Sequence, residues 1–250
     1  MGVAAVGATG YHDRMARPRS VVLLGQSFPA VSVGLAGALL VLSILAVNVP
    51  PLFAALMLVP GRVWAGELWR LVSWPFLAQD PLAVLFGSFA VLWLGRELAY
   101  AWGPRRLLRL WFGLSVATGV SICLLALPVR ALLGFPFEAP FAMVDALIVA
   151  WAVLFPNRQI LMMLMIPLQG RQLIWVTFGF VLVSGLMQGL LGVLPHLVAM
   201  GLMLFHLRYG GPDTVLLKLR YRWLQWRAGR RRSHLRVVDR DEREPPRWVH

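Results

Sequence analysis

An acidic residue inside a strongly apolar segment is the first candidate for chemistry in this 250-residue chain. Asp145 lies in the segment 137–156, with apolar residues on both sides. A carboxylate in a membrane-crossing helix costs several kcal/mol unless it is paired, protonated or wetted, and such residues often serve a function. The same segment contains no Ser, Thr or Cys, so it offers no nucleophile for covalent catalysis.

Composition indicates which elements must position such a residue. Apolar residues make up 59% of the chain and charged residues only 14%, as in polytopic membrane proteins. The net charge of +13 comes almost entirely from arginine, and these arginines flank apolar segments. This placement favours membrane topology and anionic lipid over nucleic acid as the reason for the charge. Cys123 is the only cysteine, and we predict no disulfide, metal or other cofactor.

Hydropathy divides the chain into a basic N-terminal segment (1–29), a membrane domain (30–210) and a basic C-terminal segment (211–250). The uncharged run Gln172–Leu207 has 36 residues, on the order of 54 Å of helix, so it must turn, most simply near Gly189. Six spans are therefore predicted, at about 31–47, 81–98, 107–127, 140–155 and in the two halves of 172–207. The segment 52–77, broken by prolines and charges, is predicted to be an interfacial loop with short helices.

Arginine placement predicts the topology. The arginines between the second and third spans and between the fourth and fifth can share one side with both basic termini; they are Arg96, Arg105, Arg106, Arg109, Arg158 and Arg171. The positive-inside bias then puts both termini in the cytoplasm, which requires an even number of spans. Between Val215 and Arg227, apolar residues recur at helical spacing with basic residues between them. This pattern predicts a basic amphipathic helix that lies on anionic lipid, or alternatively a solvated helix with no lipid role.

Four short motifs, in order along the chain, carry a family resemblance. Trp69-Arg70, shortly before Phe76-Leu77, resembles the first-loop signature of the rhomboid intramembrane proteases. Gly95 and Gly103, eight residues apart and followed by arginine, resemble the turn after the second rhomboid span. With Pro195-His196 at the site of the catalytic histidine, the resemblance covers roughly Val31 to Arg208. It implies an all-α membrane protein, a six-transmembrane-helix rhomboid-like bundle, in which Arg70 fixes the first loop through backbone carbonyls.

The departures from the rhomboid pattern fall on the catalytic residues. Phe141 occupies the serine position, and its ring is expected to fill the space of a substrate carbonyl. Its flanking glycines are replaced by alanines, and three further polar positions are lost; the residues concerned are Ala139, Ala142, Ala83, Gly87 and Ala78. Loss of an oxyanion-hole donor slows a reaction by about two to three orders of magnitude, whereas loss of the nucleophile removes the reaction.

By the same resemblance, His196 opens the sixth helix and faces the fourth helix, where Asp145 lies one turn below Phe141. A hydrogen-bonded Asp145–His196 pair is therefore expected. Three roles stay open for it: a polar clasp between two helices, a proton or client-binding site, and hydrolysis by an unrecognised mechanism. His206, Met162, Met163 and Met165 are too scattered to predict a metal site.

The leading functional hypothesis is a rhomboid-like pseudoprotease, similar in logic to derlins and inactive rhomboids. It would bind the transmembrane helices of client proteins and influence their stability or trafficking without cleaving them. The alternative is a divergent active intramembrane serine protease that uses Ser88 or Ser184. A small transporter is disfavoured because the sequence shows no inverted repeat. The expected location is the plasma membrane or a bacterial inner membrane, and the oligomeric state is left open.

Overall fold

A computed structural model describes residues 20–23, 25–138, 140–162 and 166–210. The chain divides into two compact units, Met1–Leu207 and Arg208–His250. The amphipathic helix predicted within 211–250 therefore lies outside the described residues, as do Ala139, Met163, Met165 and most of the N-terminal segment.

The first unit is built mainly of helices in the described residues. The N-terminal half contains β1 (Ser20–Leu23), β2 (Gln26–Pro29), α1 (Ala30–Asn48), α2 (Pro50–Leu56), α3 (Pro60–Trp64), α4 (Arg70–Ser73), a 3-10 turn (Trp74–Phe76) and α5 (Pro81–Trp102). The C-terminal half contains α6 (Pro104–Leu125), a 3-10 turn (Arg130–Leu132), α7 (Pro140–Leu154), β3 (Gln159–Met162), β4 (Ile166–Gln169), α8 (Gly170–Gln188) and α9 (Leu190–Tyr209).

Five of the described helices are long and apolar enough to cross a membrane, namely α1, α5, α6, α8 and α9. The predicted turn at Gly189 is confirmed, because α8 ends at Gln188 and α9 begins at Leu190. The predicted interfacial loop consists of short helices, also as expected. The predicted fourth span is α7, whose 15 residues rise only about 22 Å, less than the roughly 30 Å of a hydrocarbon core.

Helix α7 lies at the centre of the packing. Eleven of its residues are buried, including Ala146 and Leu147, which are at most 1% exposed. It packs mainly against α5 and α8. Because protein rather than lipid surrounds α7, the thickness of the hydrocarbon core does not set its length.

The described residues are mostly helical, as the all-α prediction requires, and two short antiparallel hairpins accompany the helices. Strand β1 pairs with β2 from Ser20↔Pro29 to Leu23↔Gln26, and β3 pairs with β4 from Gln159↔Gln169 to Met162↔Ile166. Backbone groups outside helices still need hydrogen-bond partners, and a hairpin supplies them. Residues 20–23 and 26–29, in the basic N-terminal segment, are thus paired strands just before α1.

Gly95 and Gly103, the two glycines eight residues apart, are each required by the structure for a different reason. A Cβ atom at Gly95 would lie 3.2 Å from the Cβ of Ser32, so the glycine allows α1 and α5 to approach closely. Gly103 has φ +86° between α5 and α6, a conformation that L side chains rarely adopt. Together they bring the first three long helices into one bundle.

Candidate functional site

The candidate site lies where α7 meets α9. Asp145 is 8% exposed and sits in the buried central part of α7, beside Val144 and Ala146. His196 lies on α9 directly after Pro195, and its side chain is 21% exposed. Each residue therefore places a polar group in a largely apolar setting.

The structure brings these two side chains together. His196 Nδ1 and Asp145 Oδ2 are 2.6 Å apart, a short distance typical of a charge-assisted hydrogen bond. With a proton on Nδ1, the imidazole donates to the carboxylate, which fixes the ring orientation as an acid does in a catalytic triad. Among the described residues, His196 is hydrogen-bonded to no serine. The arrangement can hold a proton or join two helices, but it lacks a nucleophile.

Phe141, at the position of the rhomboid serine, is partly exposed. Its side chain is 36% exposed, whereas the next residue, Ala142, is fully buried. The other residues of the first turn of α7, Pro140 and Met143 among them, are buried, so Phe141 lies on the one exposed side of this turn. That its ring fills the space of a substrate carbonyl stays a prediction. Sequence spacing fixed its position along the helix but not its surroundings.

The positions that match oxyanion-supporting residues provide no side-chain donors. Gly87 is buried in α5, and a Cβ there would lie 3.8 Å from Pro140 at the start of α7. Ala78 is 2% exposed, and its backbone N–H donates to Ser43 Oγ over 3.1 Å. Small residues thus bring α5 against the start of α7, where rhomboids carry polar groups.

Arg70 anchors the first loop through carbonyl groups at the end of α2. Its side chain is 3% exposed, and Nη1 donates to the carbonyl oxygens of Ala54 and Met57, each over 2.7 Å. The last carbonyls of a helix have no partner within the helix, and the negative end of its dipole favours a cation. Arg70 therefore caps α2, in agreement with the structural role that the resemblance implied.

Glu67 completes this anchor and was missed by the sequence analysis. Arg70 Nε donates to Glu67 Oε2 over 2.6 Å, and Arg62 Nη1 lies 3.3 Å from the other carboxylate oxygen. Hydrogen bonding to Arg70 holds the pKa of the Glu67 carboxyl below its ordinary value. The signal available in the sequence was the spacing of three residues between Glu67 and Arg70.

Other contacts fix the anchor within the unit. Trp69 is exposed, and its Nε1 donates to the carbonyl of Ala55 over 3.1 Å. Ser73 Oγ donates to the carbonyl of Leu56 over 2.7 Å, and Ser115 Oγ on α6 donates to that of Leu71 over 2.7 Å. These hydrogen bonds join α2 to the segment that contains α4, and α4 to α6.

Apolar helices long enough to span a membrane, with a buried helix between them, are typical of an integral membrane protein. The family model described as eukaryotic integral membrane protein (DUF1751) matches residues 33–206, which is more than half of the chain. The chain belongs to this family, which is rhomboid-like. A comparison with curated proteins found no match.

Proposed function

We propose that this protein is a rhomboid-like membrane pseudoprotease, which binds the transmembrane helices of client proteins and influences their stability or trafficking without cleaving them. The observation that carries the proposal is the Asp145–His196 hydrogen bond on a helix without Ser, Thr or Cys. A histidine engaged with a carboxylate, and with no nucleophile beside it, cannot start acyl transfer. Membership of a rhomboid-like family supports the choice of scaffold.

Exposed apolar side chains provide surfaces against which a client helix can pack. On α5 they include Leu82, Phe86 and Phe89, each at least 60% exposed, and on α8 Trp175 is 74% exposed. Helices associate in lipid through close packing and interhelical hydrogen bonds, so such faces suit either lipid or another helix. The proposed clients are single transmembrane helices that pack on these faces within the bilayer.

The proposal includes six spans and cytoplasmic termini, in the plasma membrane or a bacterial inner membrane. Helix α7 completes the six spans as the fourth along the chain, and it can be short because protein surrounds it. The described arginines near the α5–α6 turn, Arg158 between α7 and β3, and Arg171 in the first turn of α8 fall on one side in this arrangement, as the positive-inside bias requires.

The reactivity test uses a fluorophosphonate probe, which labels activated serines. The purified protein is expected to remain unlabelled because α7 carries no hydroxyl beside His196. Ser88, the first alternative nucleophile, has a buried hydroxyl without a hydrogen-bond partner in the described structure, hence no adjacent base. A known active rhomboid provides the positive control, and Ser88→Ala and Ser184→Ala are the matched variants. Labelling that disappears in either variant would establish the divergent protease instead.

The topology test uses reporter fusions at Gly2 and after Arg230 in the full chain. Both reporters are expected in the cytoplasm because six spans return the chain to its starting side. A third fusion after Gly189, between α8 and α9, should report the opposite side. If the two termini report opposite sides, the six-span arrangement fails.

A further inference from the structure

Three arginines form an exposed cationic cluster at the start of α6. Arg105, Arg106 and Arg109 lie in the first two turns of this 22-residue helix, and all three are exposed. Within the part of the chain that the structure describes, none of them lies within ion-pair distance of a carboxylate. By contrast, Arg70 and Arg158 each pair with a glutamate. The cluster thus has positive charge without a counterion on the described residues.

The surface next to this cluster is apolar and continues along α6. Arg105, Leu108, Arg109 and Phe112 follow the spacing of three and four residues that places side chains on one helix face. Leu108 and Phe112 are each 37% exposed. One face therefore changes from cationic to apolar where α6 enters its membrane-spanning length.

An aromatic residue marks the same level of the helix bundle. The Arg106 guanidinium lies 5.5 Å from the ring centroid of Trp102, the last residue of α5. Tryptophan is enriched at the membrane–water interface, and arginine stacked on an indole keeps its remaining donors available for phosphate oxygens. An arginine beside a tryptophan at a helix end is thus typical of the membrane–water interface.

We infer that the Arg105, Arg106 and Arg109 cluster binds the headgroup of an anionic phospholipid, whose acyl chain lies along Leu108 and Phe112. The charge selects the phosphate of an anionic headgroup, because guanidinium groups match its geometry through paired donors. The apolar surface of Leu108 and Phe112 favours a lipid over a free phosphate, because only a lipid has an acyl chain that can cover it.

The test measures photo-crosslinking of the full chain in detergent to phosphatidylglycerol that carries a photoreactive acyl chain, with the labelled peptide located by mass spectrometry. Label is expected within 105–116, and the same probe built on phosphatidylcholine should label this segment several-fold less. Arg109→Gln should reduce labelling roughly fivefold, the contribution of one basic residue near an anionic surface. The triple change Arg105→Gln, Arg106→Gln and Arg109→Gln should abolish it.

Two control variants test whether the label depends on the positive charge of this cluster. The variant Arg220→Gln, Arg222→Gln and Arg227→Gln removes charge from the C-terminal segment and should leave labelling of 105–116 unchanged. The triple arginine-to-lysine variant of the cluster keeps the charge and should retain most of the label, which separates lost binding from lost folding. Equal labelling by both lipids, unchanged labelling in Arg109→Gln, or complete competition by millimolar inorganic phosphate would overturn the inference.

Discussion

Replacing Arg70 with alanine is expected to lower the free energy of unfolding by on the order of 2–3 kcal/mol. The change removes two hydrogen bonds to the Ala54 and Met57 carbonyls and leaves the Glu67 carboxylate without its buried partner. Charge-assisted hydrogen bonds are the stronger kind, and orphaned groups at a helix end cost their full desolvation. The measurement is thermal or denaturant unfolding of the full chain in detergent.

The matched control is Arg62→Ala, because Arg62 contacts the same carboxylate from the surface. The Arg62 side chain is 65% exposed, so its loss should cost no more than about 1 kcal/mol. Equal losses from the two variants would contradict the anchoring role of Arg70.

The Glu67–Arg70 contact also predicts a pH dependence. The folded pKa of Glu67 is lowered, so its stabilising contribution is complete above the unfolded pKa and is lost as the pH falls through the folded pKa. Glu67→Gln should therefore be less stable than the wild type at neutral pH, and the two stabilities should converge in acid. Constant separation across the pH range would show that the carboxylate charge is not what stabilises the loop.

Breaking the Asp145–His196 pair is expected to show strong coupling between the two positions. Asp145→Val or His196→Leu alone strands a polar group in an apolar setting and should cost about 1–3 kcal/mol. The double replacement removes both polar groups and should recover much of that loss. A double-mutant cycle on unfolding in detergent measures the coupling free energy.

A client-association assay on the same variants separates the possible roles of the Asp145–His196 pair. If it is a helix clasp, client association should follow stability across the cycle; if it handles protons or contacts a client, the double variant should fold well and bind no client. Thr118→Val is the matched control, because Thr118 is fully buried with a hydroxyl that has no partner in the described structure, so its loss should cost little. Additive losses in the cycle would show that Asp145 and His196 do not interact.

Much of the architecture could be predicted from hydropathy and from the positions of the glycine, proline and charged residues that interrupt it. The absence of charge from Gln172 to Leu207, with Gly189 near the middle, predicted two helices and their turn. A single helix of that length would be much longer than the hydrocarbon core is thick. The prolines and charges of 52–77 likewise predicted a loop of short helices. These predictions succeeded because the bilayer restricts which apolar lengths are stable.

Predictions that required spatial detail were less complete. The four-residue strands of the hairpins have no periodic pattern long enough to recognise, so the all-α prediction missed them. The partial exposure of Phe141 could not be predicted, because spacing along a helix does not show which neighbours cover each residue. Glu67 was missed because its loop carries several charges, and spacing alone does not decide which of them pair.

Co-expression with a panel of single-span reporter proteins tests the central claim most directly. The reporters carry tags on both ends, and intact-mass analysis of the pulled-down material shows whether a bound reporter is whole or cut. The pseudoprotease account predicts that reporters co-purify with the wild type at full length, and that none yields a fragment. A fragment that forms with the wild type and disappears with His196→Leu would contradict the account.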